Sequence, residues 1–243
     1  MKRSPARFLL LALLSLAPSA HADPDDYVAT PAVEYGEREI ELRLGTATAT
    51  EGQRHSAASL AFGYGVTPWW ATEVYGKWNR SDATRFDAFE WENRFQLSEP
   101  GQYFADFGLL VELERPHDRA EGYELRLGPL MQKDFGPVQA NVNVLIERHY
   151  RADAPEATEL GYQWQLKYRW RPAFEFGAQG FGEVGPWNDW APAHEQAHVL
   201  GPAIFGKVGL GGRQVVRYDA ALLFRVSSAA PARTLRAQIE YEF

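Results

Sequence analysis

From residue 37 to residue 243 the chain alternates apolar and polar residues with a period of two, and few folds tolerate such a pattern. Side chains of an extended strand point to opposite faces in turn, so strict alternation makes one face apolar and the other polar. In Leu160–Trp170 one face carries Leu160, Tyr162, Trp164, Leu166, Tyr168 and Trp170, and the other Gly161, Gln163, Gln165, Lys167 and Arg169. In the last segment Leu235, Ala237, Ile239, Tyr241 and Phe243 alternate with Arg236, Gln238, Glu240 and Glu242. The same template fits Glu37–Thr48, Ser56–Val66, Trp70–Asn79, Phe86–Leu97, Gln102–Glu114, Gly122–Phe135, Pro137–Arg148, Ala173–Gly182, Gln196–Val208 and Gln214–Val226. Gln196–Val208 is the least regular, because Gly201-Pro202 interrupts it. Helical periodicity is absent from this region.

The connections between these segments are of two kinds, and the kinds alternate. Thr67-Pro68, Ser98–Gly101, Phe135–Pro137, Arg171-Pro172 and Leu210–Gly212 are short and turn-like. Ala49–Arg54, Arg80–Arg85, Arg115–Glu121, Ala152–Ala157, Glu183–Glu195 and Ser227–Arg233 are longer and polar. Short turns at one end and long loops at the other are the construction of a transmembrane β-barrel. The fold expected is all-β, a single antiparallel up-and-down barrel of about twelve strands spanning residues 37–243. An even strand count puts both ends of the barrel on the short-turn, periplasmic side.

The beginning of the chain reads differently. Lys2, Arg3 and Arg7 precede the apolar run Phe8–Ala17, and Ala20-His21-Ala22 has the small-x-small pattern of a secretory cleavage site. Residues 1–22 are expected to be a signal peptide cut between Ala22 and Asp23, since the apolar run falls well short of the ~20 residues of a spanning helix. Residues 23–36 are then expected to be a periplasmic N-terminal segment. The formal charge of −7 becomes more negative without residues 1–22, which hold three cations and no acid. That balance argues against nucleic acid as a partner, because phosphate binding needs concentrated Lys and Arg. Cysteine is absent, so an exported chain of this kind must draw its stability from something other than disulfides.

Periodicity alone does not say which face points outward; a lipocalin-like barrel or β-sandwich would put the apolar face inside. Ring placement favours lipid outside. Trp69, Trp70, Tyr103, Phe135, Trp170, Phe174 and Phe243 lie towards the short turns, and Trp78, Phe86, Tyr123 and Tyr162 towards the long loops. Two girdles of rings mark the two membrane interfaces. The chain resembles small Gram-negative outer-membrane barrels in its leader, its alternation and its terminal aromatic strand. The stretches His198–Pro202 and Thr234–Phe243 are similar to uncharacterised proteobacterial members of the porin-like superfamily. The resemblance implies an outer-membrane location and makes Tyr241 and Phe243 the insertion signal. The partners it implies are the barrel-insertion machinery, periplasmic chaperones, and outer-membrane lipid including lipopolysaccharide. It does not imply an oligomeric state.

With lipid outside, the polar phase lines the lumen. Glu41, Arg43, Glu90, Glu92, Arg94, Glu112, Arg126, Lys167, Arg169, Arg217 and Asp219 are expected there, with acids in excess of bases. If the lumen is wet, an arginine at Gln165 should be nearly neutral, but interleaved opposite charges can equally cross-link into a packed plug. Chemistry is harder to find. His55-Ser56 is the only adjacent nucleophile–base pair, and it lacks the Asn-Gly that follows the nucleophile of outer-membrane phospholipases. His149, Asp153, Asp189 and His194 could share the outer rim as an acid–base set, and His194, Glu195 and His198 could hold a metal, but the spacing compels neither. The Glu183–Glu195 loop, stiffened by Pro186 and Pro192, places Trp187 and Trp190 where they would rest on the membrane interface.

These readings make the chain a channel for small polar solutes with a weak cation preference, requiring no cofactor. The alternatives are a non-conducting structural or loop-binding barrel and, behind it, a hydrolase acting at the rim. Deleting Phe243 should lower the heat-modifiable, membrane-inserted fraction of the protein in cells. Normal levels of that form on fractionation would remove the role assigned to the terminal aromatic.

Overall fold

The computed structural model describes residues 23–243, so Ala22 and the expected leader lie outside the described residues. Twelve antiparallel strands run β1 (Arg38–Thr48), β2 (Arg54–Thr67), β3 (Trp70–Arg80), β4 (Thr84–Gln96), β5 (Asp106–Pro116), β6 (Tyr123–Phe135), β7 (Val138–Tyr150), β8 (Glu159–Arg171), β9 (Phe174–Pro186), β10 (Ala197–Gly211), β11 (Gln214–Arg225) and β12 (Arg233–Glu242). Each pairs with its sequence neighbours, and β12 pairs back onto β1 from Glu39↔Glu242 to Thr48↔Arg233. The sheet therefore closes with no free edge, the condition for carrying strands through hydrocarbon.

Burial follows the alternation with its sense inverted. In β1, Glu39, Glu41 and Arg43 are buried while Ile40, Leu42 and Leu44 are exposed. Val74, Phe89 and Leu235 are likewise exposed on the outside, and Glu73, Glu90, Glu92 and Arg236 are buried inside. Rings form belts at both ends of this apolar exterior. Trp70 stacks on Phe95, Trp170 meets Phe174 edge-on and Tyr241 stacks on Phe243 near the short turns. Trp78 meets Phe86 edge-on near the long loops. The final strand closes onto the first through Phe243 N–H donating to the Arg38 carbonyl at 2.8 Å.

Three segments differ from the sequence expectation. β5 begins at Asp106, because residues 97–105 fold into a turn in which the Ser98 hydroxyl accepts from Phe107 N–H at 2.8 Å and Asp106 accepts from Gly101 N–H at 2.6 Å. This connection is the one long exception on the short-turn side. β9 continues to Pro186, so the longest outer loop is residues 187–196 rather than Glu183–Glu195, and Glu183 is a strand residue facing inward. β10 runs unbroken through Gly201-Pro202, since Pro202 lies where pairing with β11 passes from Leu200↔Phe224 directly to Ala203↔Ala221. A proline without an N–H is tolerated at such a lapse in the ladder.

The largest departure is the segment 23–36. Expected in the periplasm, it instead runs inside the barrel, with Asp25, Tyr27, Val28 and Ala29 all buried. It starts near Gly36, whose N–H donates to the Gly65 carbonyl at 2.8 Å beside the short turns. It then climbs to Asp23, 3.4 Å from the Lys77 ammonium in the half nearer the long loops.

An arginine replacing Leu166 on the outside should cost about 2–4 kcal/mol if that surface meets lipid. Gln139→Arg, facing inward beside Asp134, should cost far less. Denaturant titration of the barrel in vesicles would compare them, and the reverse order would mean that the apolar surface does not face lipid.

Candidate functional site

The interior is a waist of packed polar side chains with a chamber on either side. Charge burial in a low-dielectric interior demands partners, and the waist supplies them in rows. On the β1–β4 wall the Arg43 guanidinium contacts Glu41, lies 3.7 Å from Glu92 and donates to the Tyr75 hydroxyl, which contacts Glu73. Arg94 reaches Glu73 at 2.6 Å, Glu39 at 3.3 Å and Glu92 at 3.3 Å. On the opposite wall the amides form a chain. Asn141 donates to Gln132 at 3.0 Å, Gln165 to Asn141 at 3.0 Å and Gln179 to Gln165 at 3.2 Å. Arg236 joins that chain to the charged wall, donating to Gln179 and Asp219 at 2.6 Å each and to Gln238 at 3.3 Å, and Gln238 in turn contacts Glu41.

Gln165 is only 5% exposed, because this amide chain packs around it, so at this depth the interior is the packed alternative and not a wet lumen. Alternation identifies the inward phase but does not say how tightly it is filled.

The segment 23–36 passes through the middle of the waist, and its side chains divide between the two walls. Tyr27 and Ala29 pack against Leu110, Leu130 and Leu145 of β5–β7. Val28, pointing the other way, packs against Phe181, Ala203, Phe205, Ala221 and Leu223 of β9–β11. The polar contacts are as specific. The Tyr27 hydroxyl donates to Glu92 at 2.5 Å, and the Arg43 guanidinium lies 3.4 Å from the centre of the Tyr27 ring. Asn143 donates to the Ala29 carbonyl at 3.0 Å, Arg126 to Asp26 at 3.2 Å, and the Ser59 hydroxyl contacts Asp25. Two inward glycines make room for its backbone. A Cβ at Gly45 would lie 2.0 Å from the Pro24 carbonyl oxygen, and one at Gly65 would lie 1.9 Å from that of Glu34.

Towards the long loops lies a chamber of about 180 Å³, lined by acids from the plugging segment and from β4–β9 and by the cations Arg43, Lys77 and Arg126. Lys77 bridges Glu114 at 2.6 Å and Glu90 at 3.2 Å. Towards the short turns lies a second chamber of about 470 Å³, whose wall mixes Glu37, Glu39, Glu175, Glu240 and Glu242 with Arg94, Lys167, Arg169, Lys207 and Arg217.

The residues expected in the lumen all fall on the inward phase, but they divide among three places. Glu41, Arg43, Glu92 and Arg94 build the waist; Glu90, Glu112 and Arg126 face the outer chamber; Lys167, Arg169, Arg217 and Asp219 face the inner one. Residues 27–29 and the inward apolar residues Leu110, Leu130, Leu145, Phe181 and Phe205 were not anticipated. Their signal is present in the sequence, since Leu109-Leu110-Val111 and Val144-Leu145-Ile146 break the alternation with apolar residues on both phases.

The candidate chemical groups do not converge. His55 lies 3.2 Å from Ser81, whereas Ser56 pairs with Thr46. His198 faces outward and pairs with Tyr162 at 3.0 Å, His194 pairs with Glu195 at 3.4 Å, and His194, Glu195 and His198 do not bring their ligand atoms together among the described residues. His149 is the exception: its Nδ1 donates to the Glu121 carbonyl at 3.1 Å, and its Nε2 faces Glu124 at 3.5 Å, Glu156 at 3.7 Å and Glu147 at 3.8 Å. Glu124, Glu147 and His149 form one of three groupings, among the described residues, whose ligand atoms lie within 4.8 Å of one another. The others, Glu37–Glu39–Glu240 and Glu90–Glu92–Glu112, are carboxylates alone and have Arg94, Lys77 or Arg126 beside them.

Arg43→Met should destabilise the barrel by about 3–5 kcal/mol, because it leaves Glu41 buried without its cation and Glu92 with Arg94 alone. Adding Glu92→Gln should recover part of that loss in a denaturant titration. A neutral Arg43→Met would mean that the waist is hydrated rather than packed.

No protein-family model matches the chain, and a comparison with curated proteins finds no match. Solved structures share its fold. An outer-membrane channel from Pseudomonas putida F1 matches with a TM-score of 0.57 and 12% identity, over 91% of this chain and 99% of that one. The translocator domain of the autotransporter NalP from Neisseria meningitidis matches at 0.54 and 11% identity, over 86% and 88%. The NanC porin matches at 0.53 and 10% identity, over 84% and 98%. The chain therefore has the fold of a small outer-membrane β-barrel.

Proposed function

We propose that the protein is an outer-membrane channel for small polar solutes, held shut by its own N-terminal segment. The observation that carries this reading is the position of residues 23–36. They form no part of the barrel ladder, yet they fill the waist between two polar chambers. The apolar exterior with its two ring belts supports the membrane location, and the likeness to barrels described as a channel and a porin supports conduction. Apart from Gly36 N–H on the Gly65 carbonyl, the segment is held by contacts outside the ladder, so it can leave without breaking a single strand pair. The second reading, a permanently closed structural barrel, draws on the amide and arginine belt, which belongs to the strands and stays when the segment goes.

Selectivity follows from the outer chamber, where Glu90, Glu112, Glu114, Glu124, Glu147, Glu159 and Glu183 outnumber the cations facing them. Fixed negative charge in a low-dielectric passage concentrates cations and repels anions. Salt shortens the reach of that field from about 10 Å at 0.1 M to about 3 Å at 1 M.

Planar-bilayer recording tests both points. The intact protein should be mostly silent, and protein lacking residues 23–36 should show discrete steps with a cation preference that fades as salt rises. Silence of the truncated, folded barrel would favour the structural reading, and anion preference at low salt would overturn the assigned selectivity.

A further inference from the structure

The outer ends of β6 and β7 and the loops beside them gather donors that the ion pairs of the waist leave untouched. Glu124 pairs with His149 across the two strands, and Glu147 stands two residues before His149 on the same inward phase, where it lines the outer chamber with Glu124. The β7–β8 loop turns back at Arg151, which takes a left-handed φ of 60°, the one non-glycine residue to do so among the described residues. Asp153 N–H pins that loop to the β5–β6 loop by donating to the Ala120 carbonyl at 2.8 Å. The turn brings Glu156 to the same place, so three carboxylates surround the His149 Nε2, at 3.5, 3.7 and 3.8 Å.

Among the described residues no Lys or Arg lies within 4.0 Å of Glu124, Glu147 or Glu156, whereas the inward Glu73, Glu90 and Glu112 each have one. The bond from Nδ1 to the Glu121 carbonyl fixes the neutral ring as the tautomer whose Nε2 lone pair faces the carboxylates. A lone pair and three carboxylates repel one another unless a positive centre stands among them, and the candidates are a proton on Nε2 or a metal ion. A proton would draw one oxygen in to the roughly 2.7–3.2 Å of a hydrogen bond, and none is that near. Donors set tetrahedrally about 2.0–2.1 Å from zinc stand roughly 3.3 Å apart, so this cluster needs to close by only a few tenths of an ångström. A separate sign comes from β9. Glu183 faces the same chamber as Glu124 and Glu147, and its Oε2 is sealed from solvent with no hydrogen-bond partner. A carboxylate oxygen buried in that way is costly until a cation shares its chamber.

We infer that Glu124, Glu147 and His149, capped by Glu156, bind one divalent transition-metal ion of the zinc type at the long-loop mouth of the barrel. The donor set selects the metal. Calcium and magnesium take oxygen ligands, and an imidazole nitrogen favours zinc and its first-row neighbours. The side chains of Glu147 and Glu156 are 37% and 41% exposed, so an ion reaches the site from the loop side while residues 23–36 stay in place. The inference goes beyond the channel reading and does not depend on conduction, since it uses only the paired ends of β6 and β7 and their loops.

Isothermal titration calorimetry of the refolded barrel in neutral detergent tests this, with zinc chloride and calcium chloride as probes at neutral pH. Wild-type protein should bind one zinc ion per chain, and calcium about tenfold more weakly or less. H149A and E156Q should each weaken zinc by about tenfold or more, whereas H194A/H198A, which removes the other histidines near the outer rim, should bind as wild type does. Heat-modifiable migration checks that each variant is folded, and E156Q, a change in an exposed loop, gives the answer even if H149A does not fold. Absence of a saturable zinc site in wild type would overturn the inference without any variant. So would equal affinity for calcium, undiminished zinc binding by folded H149A or E156Q, or loss of the site in H194A/H198A.

Discussion

The structure depends on the requirement that every backbone N–H and C=O in hydrocarbon find a partner within the protein. An open sheet would leave two rows of polar groups facing lipid, at several kcal/mol for each unsatisfied group. Pairing β12 with β1 removes both rows at once. Closure then dictates the inversion of the side chains. One phase of the alternation faces outward, and the other is enclosed within the barrel. The ion pairs of Arg43, Arg94 and Arg236 and the amide chain through Gln165 are the consequence, since groups shut in that space have only one another.

A barrel of this size closes its strands more easily than it fills its middle. Residues 23–36 complete the filling, and they do so as a strand would, sending Tyr27 and Ala29 to one wall and Val28 to the other. The walls are cut to fit. Gly45 and Gly65 sit where any Cβ would strike the segment's backbone, and the leucines of β5–β7 offer an apolar face in a lumen that is otherwise polar. This complementarity is local and lies outside the strand pairing, so it stabilises the occupied lumen while leaving the ladder independent of it. That separation makes a closed state compatible with a channel.

The fold was legible because a two-residue period is imposed by geometry and survives any detail of packing. The strand positions follow from it, while the sense of the phases came from the rings gathered at the strand ends and the up-and-down order from the alternation of short and long connections. The filling of the lumen was less legible. Gln165 and Arg169 occupy the same phase of β8, yet one is sealed in an amide chain and the other lies at an open end. The distinction comes from depth and from neighbours on other strands, which a period does not encode. The segment 23–36 was misplaced because it is short, carries no alternation long enough to count, and follows the expected cleavage site, where an exposed tail is the usual reading. Its one clue lay elsewhere, in the apolar runs around Leu110 and Leu145, whose inward members need an apolar partner.

The central claim is that this segment lies inside the barrel, and the absence of native cysteine makes a direct measurement simple. A single cysteine at Ala29, buried at the waist, can be compared with one at Tyr35, which is 64% exposed near the short turns. In the folded barrel a bulky water-soluble maleimide should label Tyr35→Cys readily and Ala29→Cys only after heat unfolding. Equal labelling of the two in the folded, heat-modifiable form would place the segment outside the lumen and contradict the account.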